Sequence, residues 1–233
     1  GAVHDMQITS TTPATWTIES PPTAGLKLWL DASDSTTITK DGSNLVSAWN
    51  DKSGQLNHVT QATATNQPLW VNSVLNSLPV VRFDGVDNFI KRTTWLAGAL
   101  TTSTIFIVCT DSVTTSDTYF DSGTNRTMFS VDDAGYDIYA GTFLTGTTST
   151  SAGAWSYMEL VFNGASSIIR KNGTTLITGN AGSQSNNGIV LGANFVGNQP
   201  IVTDIAEFLV YEGTLSDTDR DSIESYLATK WGL

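Results

Sequence analysis

The sequence is short of the groups that enzymes use most often. It has one cysteine, Cys109, so no disulfide can form within the chain. That thiol lies in the apolar run TIFIVCT, the setting of an inert core residue rather than a nucleophile. Its isolation does not fix a compartment, because many secreted and phage proteins also lack disulfides. There are two histidines, His4 and His58. With one cysteine, that is too few for an ordinary zinc site. No G-x-S-x-G stretch marks a nucleophile elbow. Glutamate is scarce as well: Glu19, Glu159, Glu207, Glu212 and Glu224, none in the Glu-x-Asp-x-Glu spacing that sets three carboxylates on one strand face. Glycoside hydrolysis needs two positioned carboxylates, so a glycan hydrolase or lyase ranks third, and the chain reads as not an enzyme. Charged residues make up only 14%, and Lys and Arg number 11 against 22 Asp and Glu, for a net charge of −11. Such a field repels nucleic acid and anionic lipid. No apolar run reaches the ~20 residues of a membrane span, and no leader is visible at Gly1.

What is abundant is Gly, Ser, Thr and Asn between short apolar stretches, the composition of a β-rich extracellular or virion-surface domain. The length of 233 residues suits one large domain. Residues 1–24 are Thr-, Ser- and Pro-rich and read as an extended arm or linker; residues 25–233 read as the domain. LKLWLD opens it with period-two alternation from Leu26. Strand-like runs follow at 79–83, 104–110, 127–131, 136–141, 155–162, 167–173, 174–179, 188–193 and 205–213. Asp41-Gly42, Asp84-Gly85, Asn163-Gly164 and Asn172-Gly173 punctuate the chain as turns. Asn172-Gly173 predicts a tight hairpin. Many short strands without alternating helices predict an all-β, antiparallel two-sheet jelly-roll sandwich. One helix is signalled at the C-terminus, with Ser216 as N-cap, Asp217 and Asp219 in the first turn and Gly232 as the stop.

Three stretches are candidates for function. FDGVDN offers Asp84, Asp87 and Asn88 as oxygen ligands for a structural Ca²⁺; the competing use of the same groups is an Asx turn. No cofactor is required. Trp95, in a loop-like region, is the freest of the seven tryptophans, and Tyr136, Asp137 and Tyr139 form a polar-aromatic stretch. Together they are the candidates for a sugar platform. The third stretch, WNDKSGQLNHVTQ, gathers an acid, a hydroxyl and an imidazole. It reads as an ordered loop, with Trp49 in the core, a turn at Ser53-Gly54 and Asp51 accepting backbone or Ser53 hydrogen bonds; the alternative is the rim of a binding surface.

In their order and spacing, LKLWLDASD, SAWNDKSGQLNHVTQATATNQP, LPVVRFDGVDNFI, GAWSYMELVFNG, RKNGTTL and IAEFLVYEGTLSDTDRDSIESYLATKWGL resemble the concanavalin A-like, laminin-G-like jelly-roll domains of bacterial and phage proteins. The resemblance runs from about Leu26 to Leu233. It implies two sheets with one concave face and, usually, a non-catalytic lectin-like or adhesive module. Some members of the family carry Ca²⁺ near an acidic pair in an I-D-E block. Here that block is Ile205-Ala206-Glu207, and Asp204 falls on the opposite face under strict alternation. Two roles follow as expectations. One is a carbohydrate-binding module of a secreted or virion-surface protein. The other is a phage decoration or tail-associated protein whose residues 1–24 pack on neighbouring subunits. The expected partner is a glycan or a virion subunit, without nucleic acid or membrane insertion.

Overall fold

The computed structural model describes residues 20–112, 117–133, 135–147 and 150–233. Most of the expected arm therefore lies outside the described residues. Where the chain becomes described, Tyr211 donates its hydroxyl to Pro22 O at 2.9 Å.

The described strands are β1 (Leu26–Asp31), β2 (Ile38–Lys40), β3 (Val46–Trp49), β4 (Val59–Thr60), β5 (Leu69–Leu75), β6 (Leu78–Asp84), β7 (Ile90–Arg92), β8 (Ser103–Thr110) and β9 (Asp117–Asp121). They continue with β10 (Met128–Asp132), β11 (Gly135–Tyr139), β12 (Phe143–Thr147), β13 (Trp155–Phe162), β14 (Ser167–Lys171), β15 (Thr174–Gly179), β16 (Ile189–Leu191) and β17 (Val202–Glu212). One helix, α1 (Asp217–Trp231), follows. The first sheet orders its strands β15-β14-β13-β8-β17-β6-β5, with β1 joined to β17; the second orders them β12-β11-β10-β9-β16-β7-β4-β3-β2. Every pairing given is antiparallel, as the two-sheet sandwich requires. The hairpin forms where expected, with Asn172 at φ 48° and Gly173 at φ 75°.

The core lies between the sheets. Phe83, Ile105, Ile107, Phe208 and Val210 of the first sheet meet Phe120, Phe129, Tyr136, Ile138 and Leu191 of the second. Phe120 makes edge contacts with Phe162 and Phe208 at 6.3 and 5.4 Å. Helix α1 packs on the outer face of the first sheet through Ile223, Tyr226, Leu227 and Trp231, against Val80, Phe106, Val108, Leu209 and Tyr211. The first sheet is thus covered on both sides. This explains why β8 reads as a continuous apolar run and is buried at every position. The helix ends are set as the sequence predicts: Ser216 accepts from Asp219 N at 3.1 Å, and Gly232 closes the helix at φ 71°.

Strand β17 is not strictly alternating. A bulge between Ile205 and Glu207 shifts its register against β8. Before it, Ile201 and Ile205 face the inter-sheet core; after it, Phe208 and Val210 do. Asp204 and Glu207 therefore share the outer face, which corrects the alternation-based placement of Asp204. Arg82 holds Asp204 with two bonds of 2.7 Å. Glu207 is fully buried and accepts from Trp29 Nε1, Tyr226 Oη, Lys230 Nζ and Trp231 Nε1 at 2.6–2.9 Å.

Candidate functional site

With the first sheet covered twice, the outer face of the second sheet is the open one. Its core-facing residues are Phe129 and Val131 on β10, Tyr136 and Ile138 on β11, and Ile189 and Leu191 on β16. The intervening residues point outward. The register links them in one row across all nine strands: Phe143, Tyr139, Met128, Asp121, Val190, Lys91, Thr60, Ala48 and Thr39. A second row, Thr145, Asp137, Ser130 and Thr118, runs beside its first half.

Two loops lie over the middle of the first row. The loop joining β9 to β10 is closed by Ser122, whose backbone donates to Thr127 O at 3.0 Å and whose hydroxyl accepts from Thr127 N at 2.8 Å. It places Arg126 over the sheet. Arg126 Nε donates to Asp121 Oδ2 at 2.8 Å, and its Nη2 reaches Met128 Sδ at 2.9 Å. The other loop leaves β16 at Gly192, whose φ of 89° and whose closeness to Phe83 (an added Cβ would stand 2.1 Å from Cδ1) admit only glycine. Asn194 Oδ1 accepts from Val196 N and Asn198 N, at 3.2 and 2.9 Å, and holds that loop closed. Phe195 N donates to Asp121 Oδ2 at 3.2 Å. The Arg126 guanidinium consequently lies between two rings, 5.9 Å from Tyr139 and 5.4 Å from Phe195. Tyr139 leans on exposed Phe143 at 4.8 Å. In the ladder Phe143–Tyr139–Arg126–Phe195, successive groups stand 4.8, 5.9 and 5.4 Å apart.

Beside it is a recess of about 110 Å³, lined by Thr118, Met128, Ser130, Val131, Asp132, Asp137, Phe143 and Gln199. It offers hydroxyl, amide and carboxylate groups against an apolar wall, with room for several waters. Burial raises the Asp137 pKa, with a Thr145 hydrogen bond opposing and Asp132 adding to the rise. Burial also raises Asp121, to about 6, against the pull of Arg126.

A third carboxyl is raised by burial at a distance from this face. Glu159 goes to about 7, although Arg170 Nε lies 2.7 Å from it. For Asp121 and Glu159 the folded pKa exceeds the unfolded value, so the native state holds the extra protons between about pH 7 and pH 4. Stability should therefore rise as pH falls through that window. The lowered Asp31 and Asp34 withdraw their contributions only below about pH 3.8. Discounted for screening, the two raised groups contribute about 2 kcal/mol together, or roughly 4–8 °C in Tm. Thermal melts at pH 7.5 and 5 check this; Glu159→Gln should remove part of the gain, and a flat profile would refute it.

The structure sorts the sequence candidates. Trp95 is not an exposed platform: it is 3% exposed, and its Nε1 donates to Asn186 Oδ1 at 2.8 Å. Tyr136 faces the core at 1% and donates to Asp111. Its turn-like, Gly-flanked context hid that inward orientation. Asp137 lines the recess, and Tyr139 joins the ladder. Sequence reasoning missed Asp121, Arg126, Phe143 and Phe195. They sit on short strands and loops whose cross-strand register leaves no trace in periodicity.

In the Asp84 loop, Oδ1 of Asp84 accepts from Val86 N at 2.9 Å, Oδ1 of Asn88 accepts from Asp84 N at 3.3 Å, and the backbone oxygen of Asp87 accepts from Asn66 Nδ2 at 2.8 Å. The Asp84–Val86 bond is an Asx turn, and the other two tie the loop to its own start and to Asn66. Among the described residues no three His, Cys, Asp or Glu side chains gather in a metal-sized group. The WNDKSGQLNHVTQ loop is built as predicted. Trp49 is fully buried, and Asp51 accepts from Trp29 N, Ser53 N, Ser53 Oγ and Asn57 N at 2.8–2.9 Å. His58 Nδ1 accepts from Asp51 N at 2.9 Å, which occupies that nitrogen. Among the described residues no helix is long and apolar enough to cross a membrane.

No known family model and no curated protein matches the chain. Solved structures share its fold. Domain 4 of AbnA, an extracellular arabinanase from Geobacillus stearothermophilus solved with arabinotriose, aligns at TM-score 0.56 and 18% identity, covering 84% of this chain and 96% of that one. An arabinofuranosidase complexed with arabinofuranosyl-α-1,2-xylobiose aligns at TM-score 0.65 and 16% identity over 89% of this chain. Trypanosoma rangeli sialidase aligns at 0.62 and 14% over 90%. The chain spans only 60% of the arabinofuranosidase and 33% of the sialidase. These likenesses correct the expectation that the chain is not an enzyme. The fold is one found in glycoside hydrolases, so the scarcity of paired carboxylates does not by itself make the chain a non-enzyme.

Proposed function

We propose that this chain is a glycan-binding β-sandwich domain that presents the outer face of its second sheet to sugar. The observation that carries the reading is the Phe143–Tyr139–Arg126–Phe195 ladder beside a recess of hydroxyls, an amide and carboxylates. Aromatic faces take up the apolar C–H side of a sugar ring, while the recess groups hydrogen-bond its hydroxyls. The likeness to an arabinanase domain solved with arabinotriose supports a glycan partner. The two-sheet architecture with its terminal helix is consistent with a place among the concanavalin A-like, laminin-G-like domains of secreted or surface proteins.

The test is a glycan array followed by calorimetry. Binding should be weak, Kd micromolar to millimolar, about −4 to −8 kcal/mol. Tyr139→Ala should cost about 1–1.5 kcal/mol of it, up to roughly tenfold in Kd, with little change in melting temperature because the ring is only half-buried. Absence of signal on every glycan would overturn the proposal and leave subunit packing as the role to examine.

A further inference from the structure

We infer that the ladder is a track for an uncharged, extended glycan chain, on which Arg126 serves as a flat stacking plate and not as a reader of negative charge. The inference rests on the glycan-binding reading above and names its ligand class.

Arg126 is the cation at the middle of the ladder, and on its own it would favour uronic or sialic acids. Its charge is already matched. Asp121, fully buried beneath it, holds Nε through Oδ2 at 2.8 Å. The Arg126 side chain as a whole is 30% exposed. Tyr139 and Phe195 have their ring centres 5.9 and 5.4 Å from its Cζ, so a third planar group neighbours both rings. Neighbouring charge points the same way. Asp132 and Asp137 line the adjoining recess, and the chain carries −11 overall. A carboxylated sugar would meet a compensated cation beside the two recess carboxyls.

Length is the second part. Beyond Phe195 the same loop reaches Phe89, since a Cβ on Gly197 would stand 3.2 Å from the Phe89 ring. Lys91 Nζ lies over that ring at 5.1 Å. From β12, which carries Phe143, to β7, which Phe89 precedes, there are five strand spacings, about 24 Å. That is a path for several sugar units lying across the strands. A single ring would use only a fraction of it.

The experiment compares the described chain with Arg126→Lys and Arg126→Ala. Titrants are neutral arabinan and xylan, polygalacturonate as the anionic chain, and arabinose and xylose as single sugars. The expected result is binding of a neutral chain, at least tenfold weaker binding of polygalacturonate, and single sugars weaker again. Arg126→Lys, which keeps the charge and loses the plane, should weaken neutral-chain binding about as much as Arg126→Ala. Tighter binding of polygalacturonate than of the neutral chains, or Arg126→Lys binding like the unmodified chain, would overturn this inference while leaving glycan binding intact. If none of these chains or sugars binds, this inference is overturned, and the glycan array decides the proposed function separately. Far-UV circular dichroism of each variant guards against loss of fold. A variant that unfolds is replaced by Phe195→Ala, which should weaken the neutral chain alone, and an unchanged neutral-chain affinity there would also overturn the inference.

Discussion

Glu207→Ala should lower the unfolding free energy by about 4 kcal/mol, a fall in Tm of roughly 8–16 °C for a chain of this size. The carboxylate takes four donors from two tryptophans, a tyrosine and a lysine. Removing it takes the acceptor from the buried Trp231 indole and from the Tyr226 hydroxyl, and it leaves Lys230 with Asp31 at 2.8 Å as its remaining anion. The damage should concentrate at the junction of α1 with the first sheet. Glu207→Gln keeps an acceptor oxygen and should recover about half of the loss. Chemical denaturation of the three proteins measures this. A loss below about 1 kcal/mol for the alanine variant would show that the helix is held by its apolar contacts alone.

Asp51→Ala is the second large effect. This carboxylate ties β1 to the loop after β3, accepting from Trp29 N across 22 residues and from three donors within its own loop. Hydrogen bonds to a charged acceptor contribute about 1.5–3 kcal/mol each before overlap. Because the four share one carboxylate, about 3 kcal/mol in total is expected, roughly 6–12 °C in Tm. Asp51→Asn retains one acceptor oxygen and should lose about half as much. Equal melting of Asp51→Ala and the unmodified chain would mean that the loop's backbone turns suffice without it.

These two carboxylates mark how far the sequence could be read. Asp51 was legible because its partners are local: a Ser-Gly turn two residues on is a chemical signal in its own right. Glu207 was not, because its donors come from β1 and α1, and because the Ile205–Glu207 bulge breaks the alternation that would place it. The long apolar strands β8, β13 and β17, the hairpin and the capped helix were visible from period and turn chemistry. Strands β2, β4 and β7, two or three residues each, were not. They borrow their extended geometry from neighbours and carry too few side chains to show a period. The site divides the same way. Tyr139 was found as an aromatic in a strand-like run, and Trp95 was overestimated because a loop-like context says nothing about Asn186 waiting for its indole. Arg126 and Phe195 meet only because β9 and β16 are neighbours in the sheet.

The lone thiol of Cys109 gains a use from its position. It lies in β8, between β13 and β17, 1% exposed, and burial holds its pKa far above the ordinary thiol value. In the native state it is invisible to alkylating reagents, and the fraying of a loop or an edge strand leaves it hidden. An opening that parts β8 from β13 and β17 exposes it, so the rate at which the chain takes up iodoacetamide should follow that opening.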